Sequence, residues 1–136
     1  NYGTLIKKLA ELGAELLIET LPKFVKNEIT PQPQNENQAT FTKKLQTEDG
    51  YVKPEDIKKA QEDGGEIALQ IFRKIRALNP EPGVWTILTS EYSSLIRANS
   101  SIEKRMKILE AVLTSEGKLK LKKIQFEGKK PMSWNY

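Results

Sequence analysis

Lys118, Lys120 and Lys122 stand at alternate positions. In an extended strand they share one face about 6–7 Å apart, from a rise of ~3.3 Å per residue. Leu119 and Leu121 then point the other way. The lysine spacing is comparable to that of successive phosphates along one strand of nucleic acid. Lys123, Lys129 and Lys130 extend the set, and a turn at Ser115–Gly117 would lay Lys104, Arg105 and Lys107 beside it. Arg73 and Lys74, with Arg76, form a second group near the end of a helical stretch. The chemistry that such groups offer is electrostatic recognition of a polyanion. Phosphate contacts give salt-sensitive affinity and position a ligand, but read little sequence. The competing reading is a solvated edge strand whose lysines prevent unwanted pairing. For Arg73, Lys74 and Arg76 it is cations complementing a helix dipole.

Other chemistries lack their residues. The chain has no histidine and no cysteine, which removes the commonest general base and the usual zinc ligands. The acid pairs Glu48–Asp49 and Glu62–Asp63 lie in polar, loop-like sequence, where carboxylates keep ordinary acidity and are weak acid–base catalysts. No glycine-rich phosphate loop is present. The expectation is therefore no catalytic residue, no metal site and no cofactor site within these residues. Absent cysteine fits a reducing, cytoplasmic setting. No apolar run approaches the ~18–20 residues of a membrane span, and no leader peptide is expected. Aromatic residues are 7% of the chain. Phe41, Phe72, Trp85 and Phe126 are expected in the core, and Tyr92, Trp134 and Tyr136 in packing or at a frayed end. A backbone-and-shape binder is favoured over a reader of stacked bases.

Charge divides unevenly. Residues 1–65 hold 9 lysines against 11 acids, and residues 66–136 hold 13 Lys and Arg against 7 acids. The second part is a basic module, which suggests a polyanionic partner and by composition alone fits either nucleic acid or an anionic membrane surface.

These groups need elements to position them. Leu5, Leu9, Leu12 and Leu16, with Ile6, Leu17, Leu21 and Phe24, predict a helix with a broad apolar face, N-capped by Thr4, kinked at Pro22 and fading by Asn27–Thr30. Thr30–Gln38 predicts an extended polar linker. The predicted domains are 1–29, the linker 30–38, and 39–136. Ala39–Leu45 is expected as a strand carrying Phe41 into the core, and Asp49-Gly50 as a turn. Helices are predicted from Pro54 to about Gly64 and over Glu66–Leu78, where Ile67, Ile71, Ile75 and Leu78 recur on one face. Pro80, Pro82 and Gly83 stop the second. Strands are predicted at Val84–Leu88, Ser94–Ala98, Arg105–Thr114 and Lys118–Phe126. The fold class is α+β: an N-terminal helix and linker, then a small OB-like, partly closed antiparallel barrel with one or two helices.

The run Ile75-Arg76-Ala77-Leu78-Asn79-Pro80-Glu81-Pro82-Gly83-Val84-Trp85-Thr86 resembles the signature of the methionyl-tRNA formyltransferase C-terminal domain. Ordered blocks support it: Leu12–Leu17 before Thr20-Leu21-Pro22, Pro31-Gln32 before Ala39–Leu45, Asp49-Gly50, and Gly128-Lys129-Lys130-Pro131-Met132-Ser133. The chain departs from the pattern at Lys53-Pro54, at Glu81 and in a shortened stretch between Arg105 and Lys118. The resemblance implies that residues 1–29 are the last helix of a catalytic domain that precedes Asn1 and uses 10-formyltetrahydrofolate. It implies initiator methionyl-tRNA as partner, formylation in translation initiation, and a monomeric parent. No position matches the family's catalytic motifs, so these residues alone are expected to be inactive, and to self-associate through Leu5–Phe24 when that domain is missing. Other readings are the tail of a formyltransferase acting on a small amine, a stand-alone basic RNA-binding module, or a structural interaction domain.

Overall fold

The computed structural model describes residues 1–88 and 104–134. The chain forms two compact units, Asn1–Lys44 and Leu45–Tyr136.

The first unit is built on helix α1, Tyr2–Val25. Its N-cap is Asn1 rather than Thr4. The Asn1 side chain accepts from the Thr4 amide at 3.0 Å, and the Thr4 hydroxyl bonds back to the Asn1 carbonyl at 2.9 Å. The otherwise orphaned Thr4 amide is thereby engaged. The helix continues through Pro22 and closes in a Schellman turn. Asn27 takes φ 57°, while Glu28 N–H reaches the Lys23 carbonyl and Asn27 N–H the Phe24 carbonyl. Lys23 also pairs with Glu19 one turn earlier at 2.9 Å. That hydrogen bond, reinforced by the ammonium charge, holds the Glu19 carboxyl below its usual range. The helix buries none of its residues, and the leucine stripe from Leu5 to Leu21 is exposed. Beyond it, Glu36–Gln38 makes a 3₁₀ turn. The expected strand at Ala39–Leu45 does not form, and Phe41 is 92% exposed instead of in the core. A strand needs an edge to pair with, and this segment forms no ladder among the described residues.

The second unit has helices on one face of a sheet. Helix α2 is Pro54–Glu62, with proline in its first turn, and helix α3 is Gly65–Leu78. Strands β1 (Val84–Leu88), β2 (Lys104–Leu113), β3 (Leu119–Phe126) and the short β4 (Met132–Ser133) come next. They pair antiparallel in the order β1-β2-β3-β4. Among the described residues the sheet is open. The expected strand at Ser94–Ala98, with Tyr92 and Tyr136, lies outside them.

Core formation obeys the two periodicities. Ile57 and Ala60 of α2 and Ala68, Ile71, Ile75 and Leu78 of α3 are buried. They meet the buried side of the sheet, where Val84, Ile108, Leu121 and Ile124 are almost wholly excluded from solvent. Trp134 is buried too. Gly64, at φ 71°, lets the α2–α3 corner sit against the β2–β3 hairpin. A Cβ there would lie 2.7 Å from the Gly117 carbonyl oxygen.

Candidate nucleic-acid interface

The sheet's second face holds the cations. On β2, Met106, Ile108 and Ala111 turn inward, leaving Arg105 and Lys107 outside. On β3, Leu119, Leu121, Ile124 and Phe126 turn inward, leaving Lys120, Lys122 and Lys123 exposed. Two adjacent exposed lysines break simple alternation, and the register explains them. Ile108 pairs with Ile124, Glu110 with Lys123 and Ala111 with Leu121. Leu109 and Lys122 are therefore extra residues, one on each strand. Each bulge reverses the facing of the residues beyond it, and the two together restore a continuous apolar inner face. Asn79, just past α3, donates through Nδ2 to the carbonyls of Ile108 and Leu109 at 3.1 and 2.9 Å. The Asn of Leu-Asn-Pro thus braces the bulge from the helical layer.

The remaining predicted cations are paired, lie on the adjoining loop or fall elsewhere. Lys118 pairs with Glu116 on the hairpin at 3.2 Å. Lys104 pairs opposite buried Leu88, placing it on the inner side at the end of β2. Lys74 Nζ donates to the Tyr51 carbonyl at 2.8 Å, half-buried, tying α3 to the preceding loop. Arg73 is exposed on α3, in the layer that covers the opposite side of the sheet. Arg76 lies 5.4 Å from the Phe72 ring centroid, a cation–π contact. Lys129 and Lys130 are exposed on the loop between β3 and β4. Geometry therefore gathers Arg105, Lys107, Lys120, Lys122 and Lys123 on one sheet face, with Lys118 of the same parity but paired with Glu116, and leaves Lys104, Arg73 and Lys74 off it. Glu110, an acid, stands opposite Lys123.

Trp85 departs from the expected core position. Its neighbours Val84, Thr86 and Leu88 are buried, and alternation turns the indole to the outer face, half-buried. There it touches the Tyr51 ring, centroids 4.7 Å apart, and carries the Arg105 guanidinium 3.8 Å from its own centroid. Trp85 Nε1 donates to the Thr47 carbonyl at 2.9 Å, which fixes the indole. Guanidinium stacking on indole orients the cation while keeping it charged. Sequence reasoning missed Trp85, Tyr51 and Asn79 in these roles. The bulges did leave a trace, because apolar parity shifts between Leu121 and Ile124 and between Ile108 and Ala111.

No cluster of His, Cys, Asp or Glu among the described residues is arranged to hold a metal ion. None of their helices is long and apolar enough to cross a membrane.

Residues 65–136 match the family described as formyl transferase, C-terminal domain. The whole chain is similar to the methionyl-tRNA formyltransferase of Kosmotoga olearia, 38% identical over 141 residues, covering 96% of this chain and 42% of that protein. The Streptococcus thermophilus protein of the same name is 35% identical over 142 residues, covering 98% and 42% respectively. That of Lactococcus lactis subsp. lactis is 33% identical over 144 residues, covering 97% and 42%. The chain spans less than half the length of these curated relatives.

Proposed function

This chain belongs to the formyl transferase C-terminal domain family, and on that premise we propose that it is the tRNA-binding portion of a methionyl-tRNA formyltransferase. The parent enzyme transfers a formyl group from 10-formyltetrahydrofolate to initiator methionyl-tRNA in the cytoplasm, acting as a monomer. The chemistry belongs to a catalytic domain outside these residues, and this portion is inactive without it. Residues 1–29 are the last helix of that domain, which covers the leucine stripe, and residues 30–38 are the linker. Without that domain the stripe drives self-association. In this reading the open sheet is part of an OB-like barrel.

The observation that carries the reading is the shared outward face of Arg105, Lys107, Lys120, Lys122 and Lys123. A sheet face of fixed cations meets a phosphate backbone without needing base identity. Lys129 and Lys130 extend it along the next loop. Binding of the 136-residue chain to initiator methionyl-tRNA, monitored by fluorescence anisotropy at low salt, tests this. The expected result is saturable binding that weakens steeply as salt rises. Absence of binding at low salt overturns it.

A further inference from the structure

Beside Arg105 the outer face is hollowed into a depression of about 220 Å³, lined by Arg105, Lys107, Gln125, Phe126, Glu127 and Gly128. This is smaller than the ~300–1,000 Å³ of a drug-sized ligand site, so it suits one small unit of a larger ligand. Its polar groups are mixed. Arg105 and Lys107 supply positive donors. Arg105 is held on Trp85, and its buried Nε makes no hydrogen bond among the described residues. Gln125 gives one amide N–H to the Lys129 carbonyl at 2.9 Å, which leaves its second amide N–H and Oε1. The Glu127 carboxylate offers acceptors only.

A purely phosphate-binding site gains nothing from a carboxylate. A ribose phosphate does, because its 2′-hydroxyl donates a hydrogen bond while its phosphate takes the cations. We propose that this depression is a ribose-phosphate subsite that distinguishes RNA from DNA, with Arg105 and Lys107 on the phosphate, Glu127 accepting the one proton of the 2′-hydroxyl and the second Gln125 amide N–H donating to its oxygen. The inference deepens the RNA-facing reading and rests on it. It predicts that Glu127 acts as a selectivity element, since its charge repels a backbone lacking that hydroxyl and is offset where the hydroxyl is present.

The test uses the 136-residue chain with an RNA hairpin and a DNA hairpin of the same sequence, both fluorescently labelled. Wild type should bind the RNA more tightly. Glu127→Ala should tighten DNA binding more than RNA binding, lowering the RNA/DNA affinity ratio about 10–150-fold, the scale of one net hydrogen bond to a charged group. Gln125→Ala should lower the ratio in the same direction. Lys120→Gln should weaken both probes equally and leave the ratio unchanged. Both Glu127 and Lys120 are exposed, and circular dichroism checks that each variant is folded. If the ratio is unchanged in Glu127→Ala and Gln125→Ala, the subsite is wrong while the RNA-facing reading stands. If wild type binds neither hairpin, that reading falls and the subsite with it.

Discussion

Replacing Lys120, Lys122 and Lys123 together by glutamine removes the exposed cations that β3 presents. None of the three side chains takes part in a hydrogen bond or ion pair among the described residues, and their neighbours Leu119, Leu121 and Ile124 carry the packing. The fold should therefore survive, with a urea midpoint near that of wild type. Binding should not. Each phosphate neutralised contributes roughly 0.7–0.9 to the slope of log affinity against log salt. Loss of all three contacts should flatten the slope by about 2–3. Over a rise from about 50 to 200 mM salt, those contacts account for roughly 20–40-fold of wild-type affinity loss. The assay is anisotropy of labelled initiator tRNA against the chain across a potassium chloride series. Lys118→Gln and Arg73→Gln are the controls, because Lys118 is paired with Glu116 and Arg73 lies on the helical layer. Each should change the slope by much less than 1. An unaltered slope in the triple variant, or an equal loss in the controls, would show that binding depends on net charge rather than this face.

Other expectations concern the frame. Ile108→Ala, at a wholly buried site, should cost about 2–5 kcal/mol in urea unfolding; a loss under 1 kcal/mol would mean that the core is looser than described. Gly64→Ala combines a positive φ with a backbone clash at Gly117 and should cost about 2–4 kcal/mol, whereas alanine at exposed Gly13, where a Cβ meets nothing within 4 Å, should raise α1 helicity. Asn79→Ala leaves the Ile108 and Leu109 carbonyls without their donor and should cost about 1–3 kcal/mol, with the largest amide chemical-shift changes at Leu109 and Lys122; shifts confined to α3 would refute the brace. Glu19 has a lowered folded-state pKa, so its pairing with Lys23 favours the helix above the carboxyl's ordinary range and is lost as pH falls through the folded value. Glu19→Gln should remove that acid-side change in α1 helicity, read by circular dichroism.

Much of the frame was legible because it obeys local rules. Pro54 and the Gly64-Gly65 pair punctuate the helices, and the Ile67–Ile71–Ile75–Leu78 stripe demands burial on one side. The alternating Leu119 and Leu121 at the start of β3 fix Lys120 as outward-facing. The strand assigned to Ala39–Leu45 failed because apolar residues permit a strand, whereas only a pairing partner makes one. Trp85 was misplaced for a related reason: Val84–Leu88 is apolar on both faces, so its sequence alone cannot say which side is the core.

Sequence by itself determined the basic second half, the absence of Cys and His chemistry, the order of helices and most strands, and the family resemblance. These depend on residue identity and near-neighbour geometry. Tertiary structure decided which cations act together. It paired Lys118 with Glu116, committed Lys74 to the Tyr51 carbonyl and stacked Arg105 on Trp85. It also set the paired bulges that leave Lys122 and Lys123 exposed side by side. Those outcomes depend on register between strands distant in sequence, where a one-residue shift reverses the face of every later side chain in the strand.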